Sequence, residues 1–302
     1  MSVAIETEGL SKRYGRKAPG IEDVNLVVAP GEVFGFLGPN GAGKTTTIRT
    51  LLGFLKPTGG SATVFGLDIR RDSVEIRARV GNLPGEFALE DRMTGEGLLK
   101  YFARLRGVKD LGYAHELAER LGADLRRPMR RLSRGNKQKI GLVQAMFHRP
   151  PLLILDEPTG GLDPLVQEEF LDIIEETQAE GRTVFFSSHN LAEVERVCDR
   201  VGIIRGGKLV AVETTDTLVD KSFRHVRLTF EEPVDGESFG ALPGVEDLKS
   251  DGTKVSFTLY DNLDVVIKQA ARHRLVNMEY DRPSLEEVFL TYYGNHKNGE
   301  GA

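Results

Sequence analysis

Along the first two-thirds of the chain, short apolar runs of strand length alternate with stretches whose apolar residues recur at helical spacing. Residues 24–28 read as a strand closed by the turn Pro30-Gly31, and residues 33–37 as a second strand running directly into a glycine-rich loop. Helical periodicity follows from Lys44 to Leu52. Further strands are expected at 152–155, 183–186 and 201–204, with helices between them. Gly206-Gly207 separates Ile203-Ile204 from Leu209-Val210 as a hairpin turn does. The alternation is that of an α/β fold with a largely parallel sheet. Residues 93–147 break it with several helices in succession, Leu98, Leu99, Phe102 and Leu105 on one face and Leu117 and Leu121 on another. That is a helical insertion between sheet strands.

Around residues 221–225 the pattern changes. Val226, Leu228 and Phe230 alternate with polar residues, as do Val255, Phe257 and Leu259. A helical stretch at 263–271 and a strand-like run through Val276, Met278 and Tyr280 follow. The closing element has capping-box spacing, Ser284 to Glu287, ahead of Val288, Phe289 and Leu290. The expected organisation is a main domain over 1–222, with a helical subdomain at about 87–148, a small α+β domain over 223–294, and a flexible polar tail at 295–302.

Composition narrows the function classes. Forty basic against 45 acidic side chains give a net charge of −5, which argues against a nucleic-acid partner. The arginines at 126, 127, 130, 131 and 134 form too short a basic stretch to reverse that, and read as a solvated loop and helix start. The single cysteine, Cys198, excludes an internal disulfide, and its neighbours Val197, Val201 and Ile203 make it a buried filler. No basic segment followed by an apolar stretch opens the chain, and no apolar run approaches the ~20 residues of a membrane helix. A soluble chain is expected.

The chemistry concentrates in two places. Gly38-Pro39-Asn40-Gly41-Ala42-Gly43-Lys44-Thr45 satisfies the P-loop pattern between a strand and a helix. Glycines there let backbone N–H groups turn inward on phosphates, and the helix N-terminus adds its partial positive charge. Lys44 can reach the outer phosphates and the Thr45 hydroxyl can ligate magnesium. The second place is the apolar strand 152–155, which ends in the adjacent carboxylates Asp156 and Glu157. Asp156 delivered beside Thr45 would complete a magnesium shell, and Glu157 would face an attacking water.

Between these elements, Leu132-Ser133-Arg134-Gly135-Asn136-Lys137-Gln138 resembles the LSGGQ signature of ABC ATPases. Gly161-Leu162-Asp163 resembles their D-loop, Ser187-Ser188-His189 their switch-histidine loop, and Tyr14 the aromatic on which they stack adenine. The motifs arrive in the family's order across about residues 3–220. The resemblance implies a P-loop ABC ATPase domain, with a mixed-sheet core and helical subdomain, that binds ATP and Mg2+. ATP is expected on Tyr14, on 38–45 and on Thr46; Thr45 and Asp156 hold the metal, and Glu157 and His189 are catalytic. It also implies two facing copies, in which Ser133, Arg134, Gly135, Asn136 and Asp163 serve the partner's ATP. A separate integral-membrane permease would seat the homodimer on the cytoplasmic face of the cell membrane.

The sequence departs from the family at two points. Gly85 stands where the Q-loop offers a glutamine, with Glu86 beside it. Either Glu86 or a water fills the vacant magnesium position; repulsion from Asp156 and Glu157 favours the water. In the signature, Arg134 replaces a glycine and Asn136 the usual glutamine. The segments 83–87 and 283–290 and the Leu-Ser-Arg-Gly-Asn form resemble ATPase subunits of daunorubicin-type drug exporters. Export of a hydrophobic drug or antibiotic is therefore expected. The alternatives are a soluble ABC ATPase acting outside transport and a non-hydrolysing nucleotide sensor; intact Glu157 and His189 weigh against the latter.

Overall fold

In a computed structural model, which describes residues 3–15, 18–85, 92–220, 223–283 and 287–288, the strand Val33–Leu37 is buried at every position. A strand with no polar face needs cover on both sides and neighbours on both edges. It has parallel partners on each edge, Thr183–Ser188 and Arg200–Arg205, in a six-stranded sheet. Leu152–Asp156 and Val80–Leu83 extend the sheet in parallel beyond Thr183–Ser188, and Lys208–Thr214 lies at the other edge beside Arg200–Arg205. The register sets Phe34 opposite Phe185, with the rings stacked at 5.8 Å. A second, antiparallel sheet has the order Ala18–Val28, Ile5–Gly15, Gly59–Val64, Leu67–Asp68. The mixed α/β architecture agrees with the expected fold class.

One core joins the two sheets. It takes Ile5, Leu10, Val24 and Leu26 from the antiparallel sheet, Phe34, Phe36, Ile154 and Phe185 from the parallel one, and Ile48 and Leu51 from the helix Lys44–Leu51. That helix therefore has its apolar face committed to the core, and its N-terminus is fixed at the C-terminal end of Val33–Leu37. Open parallel sheets place ligands at the C-terminal ends of their strands for this reason.

The insertion consists of the helices Gly95–Arg106, Gly112–Arg120 and Arg134–Met146 and a 3-10 turn, Met129–Arg131. Each of the two capped helices has a hydroxyl at its start: Thr94 Oγ1 accepts from the Gly97 N–H, and Ser133 Oγ from the Asn136 N–H. Leu98, Leu99, Leu117 and Leu121 are buried, but Leu105 is 64% exposed and does not share their face. It lies in the last turn before the left-handed cap Gly107, where the helix leaves its core. Cys198 is buried, its sulfur 2.9 Å from where a Cβ on Gly35 would stand, and burial pushes its thiol up. It is a filler.

The chain divides into two compact units, Met1–Glu213 and Thr214–Ala302. The second carries a four-stranded antiparallel sheet in the order Val245–Asp251, Lys254–Leu259, Arg224–Phe230, Leu275–Asp281. Val226, Leu228, Phe230, Val255, Phe257 and Leu259, the alternating residues of the sequence, form its core with Phe239 and Val266. Val276 and Tyr280 stay exposed on the edge strand. Ser284, Phe289, Leu290 and the tail lie outside the described residues.

Candidate functional site

The loop after Val33–Leu37 turns its backbone to a cleft of about 310 Å3 lined by Tyr14, Gly20, Pro39, Asn40, Gly41, Gly43, Lys44, Thr45, Thr46 and Glu157. Gly43 has φ 116°, and a Cβ there would meet the Gly20 carbonyl at 2.9 Å; only glycine closes this loop onto its helix. Ala42 is buried behind the cleft and Gly38 supplies a carbonyl to the Lys44 ammonium at 2.5 Å. Lys44 Nζ is also 3.0 Å from Glu157 Oε1. The ammonium is thus pinned at the loop's centre by groups on two strands' ends.

Asp156 closes the strand Leu152–Asp156 and accepts from the Thr45 hydroxyl at 2.7 Å on one oxygen and from the Ser187 hydroxyl at 2.6 Å on the other. The juxtaposition of Thr45 and Asp156 expected from sequence is present. Ser187 was assigned no role there. Its signal is a hydroxyl near the end of a strand buried at all six positions, where an apolar residue would otherwise stand.

Glu157, one residue on, has left-handed backbone, φ 52°, a conformation that costs a non-glycine residue about 1 kcal/mol or more. Its N–H is held by the Ser187 carbonyl at 3.2 Å and the Ser187 hydroxyl at 3.1 Å. The turn throws the carboxylate away from Asp156 and between Lys44 and His189, whose Nδ1 lies 2.5 Å from Glu157 Oε2. The His189 side chain is 68% exposed at the edge of the cleft. Behind it, Glu193 receives Ser188 Oγ and Asn190 Nδ2, each at 3.0 Å. Burial raises the Glu193 carboxyl above its usual range against these bonds and one from Thr159, tying the histidine loop to the turn after Glu157.

Tyr14 is 56% exposed at the cleft's mouth, its hydroxyl 3.2 Å from Thr46 Oγ1. The signature residues are elsewhere. Among the described residues, none of Ser133, Arg134, Gly135, Asn136 or Asp163 lines the cleft. Ser133 and Arg134 are exposed; the Asn136 N–H is engaged by Ser133, and its side-chain carbonyl accepts from the Asp124 N–H at 2.8 Å. Asp163 caps the helix Pro164–Ala179 by accepting from the Val166 N–H. A Cβ on Gly85 would stand 3.1 Å from Asp156 Oδ2, so the backbone at 85 abuts that carboxylate; Glu86 lies outside the described residues.

Strand, glycine loop, lysine-bearing helix and neighbouring strand carboxylates together define a P-loop nucleotide-binding fold. Comparison with known proteins narrows it. The family model "ABC transporter" matches residues 21–160. The bacitracin transport ATP-binding protein BcrA of Bacillus licheniformis is 38% identical, over 75% of this chain and 74% of that protein. The daunorubicin resistance ATP-binding protein DrrA3 of Streptomyces coeruleorubidus is 33% identical over 97% of both. A solved ATP-binding subunit of an ABC transporter is 32% identical, with a TM-score of 0.66 over 72% of this chain and 92% of that one. The chain belongs to the ABC transporter family, as one of its ATP-binding proteins.

Proposed function

We propose that this chain hydrolyses ATP to drive an exporter of drugs, antibiotics or other hydrophobic compounds. It acts as a homodimer held to the cytoplasmic face of the membrane by a separate permease. The observation that carries the hydrolytic part is the placement of Glu157 between Lys44 and His189 at the mouth of the phosphate loop. In this reading the N–H groups of 38–46 and the Lys44 ammonium bind the β- and γ-phosphates, and Tyr14 stacks on the adenine. Glu157 takes the proton of the attacking water, and His189 holds the γ-phosphate while the carboxylate acts.

The residues fit Mg2+. Thr45 and Asp156 bring a hydroxyl and a carboxylate oxygen to one point, and among the described residues no cluster of three or more acidic, histidine or cysteine side chains forms a full cage. A magnesium ion, which keeps waters and phosphate oxygens and takes one or two protein ligands, suits so small a set. When bound it supplies charge neutralisation at the phosphates. With Gly85 offering no side chain against Asp156, a water would complete that shell.

Pairing of copies is supported by the exposed Ser133 and Arg134, which are absent from the chain's own cleft. They would meet the partner's γ-phosphate, with Gly135, Asn136 and Asp163 framing it. Among the described residues no helix is long and apolar enough to cross a membrane; in this proposal translocation is the work of the permease. Export is supported by relatives named for bacitracin transport and for daunorubicin and linearmycin resistance.

The direct test is ATP hydrolysis by Glu157→Gln. Loss of the general base should lower kcat by about 10²–10⁴-fold while ATP binding persists. Full activity in that variant would remove Glu157 from the mechanism. Co-expression with a candidate permease, followed by drug susceptibility, tests export; resistance that does not depend on Glu157 would refute it.

A further inference from the structure

We infer that Gln138 is a positioning residue for hydrolysis, holding the backbone that aims Glu157; the inference rests on the hydrolytic reading above. Gln138 lies in the helix Arg134–Met146, just past the signature, and is only 6% exposed. Its Nε2 donates to two successive backbone carbonyls, Glu157 O at 3.2 Å and Pro158 O at 2.8 Å. Glu157 is thereby gripped at both ends, with Ser187 on its N–H and Gln138 on its carbonyl. The segment so gripped is the one with the left-handed φ of 52°. Relaxing that backbone toward an ordinary conformation would swing the carboxylate out from between Lys44 and His189.

The donor matters more than the bulk. Within the turn the Gly160 N–H also reaches the Glu157 carbonyl, at 3.2 Å, so Gln138 adds a second donor there and brings one to Pro158 O, and a buried carbonyl left unpaired is costly. Gln138 is the side chain that meets both. The same helix is fastened to the following loop at two other points. A Cβ on Gly135 would meet the Gly161 carbonyl at 2.6 Å, and Lys139 Nζ stands 3.7 Å from Asp163 Oδ2. The helix whose first turn presents Ser133 outward is therefore braced directly against the turn that aims Glu157 inward. A shift of the helix when Ser133 engages one nucleotide is transmitted to the carboxylate acting on another.

The test is steady-state ATP hydrolysis by the full chain with Gln138→Met, Gln138→Glu or Gln138→Lys, beside wild type and Glu157→Gln. Methionine keeps the reach of glutamine without a donor. Glutamate keeps its shape, offers only acceptors when ionised, and regains one donor when protonated. Lysine keeps donors. Gln138→Met should lower kcat by about 10²-fold, the scale of a ~1 Å misplacement, and leave KM for ATP within about two-fold. Gln138→Lys should recover part of the loss. The deficit of Gln138→Glu should shrink as pH is lowered through the carboxyl range, relative to wild type at each pH. A Gln138→Met chain with wild-type kcat would overturn the inference. So would equal loss of kcat, ATP affinity and thermal stability in all three variants, which marks a packing role. Wild type turning over no faster than Glu157→Gln would instead sink the hydrolytic reading itself.

Discussion

His148, just beyond the helix Arg134–Met146, shows how far this fold can move one proton. Burial, with the nearby Arg106 and Arg182 guanidinium charges adding to it, lowers its pKa to about 3 from an ordinary 6.5. Between those values the unfolded chain binds a proton that the folded chain refuses, so the contribution to stability is complete above pH 6.5 and is lost as pH falls toward about 3. His148→Gln should flatten the fall of melting temperature across that window, and an unchanged acid-side slope would show that another group governs it. At this scale the sequence was legible wherever chemistry dictates a residue type in a short frame. Lys44, Thr45, Asp156 and Glu157 are of that kind; Thr45 meets Asp156 as expected, whereas the Lys44–Glu157 ion pair was not foreseen. Ser187 and Gln138 were not legible as partners of the carboxylates. Their roles depend on which backbone or side-chain atom lies opposite, across about 30 and 20 positions of chain, and one residue type on a helix or strand carries no trace of that.

Elements show the same division. The strands read at 33–37, 152–155 and 183–186 were legible because burial on both faces leaves an apolar run; two of them continue into polar residues, to Asp156 and Ser188. The strand Ile5–Gly15 was not, although Ile5 and Thr7 are buried and Glu6 and Glu8 are not. Its period of two is broken by register shifts between Thr7 and Leu10 and again toward Gly15, so the alternation fades after a few residues. The helix Arg134–Met146 supplies a test of packing against propensity. Alanine is better than glycine inside a helix by about 1 kcal/mol. Here, however, a Cβ on Gly135 meets a backbone carbonyl that cannot rotate away, and such overpacking costs about 1–3 kcal/mol. Gly135→Ala should therefore lower the urea midpoint of the full chain; a rise would mean that the 157–163 loop yields freely.

For the whole molecule the controlling fact is that the cleft holding Lys44 contains none of the signature side chains. The broad architecture, a mixed-sheet P-loop fold with inserted helices, came from order and spacing of motifs. The periodicity changes around residues 221–225, and the two compact units divide after Glu213. Which surfaces meet between copies leaves no periodic mark, because exposed residues such as Ser133 are free to vary in pattern. The separation nevertheless has a genetic consequence. If each working site takes its lysine from one chain and its serine from another, two dead chains are complementary. A Lys44→Ala chain keeps a sound serine, a Ser133→Arg chain keeps a sound lysine, and a mixed pair assembles one sound site from the remainder. Mixing equal amounts should restore about a quarter of the wild-type ATPase rate, half the pairs each with one site of two, in a two-fold dimer. No recovery on mixing would mean that every site is built within a single polypeptide, and inactivity would then be recessive chain by chain.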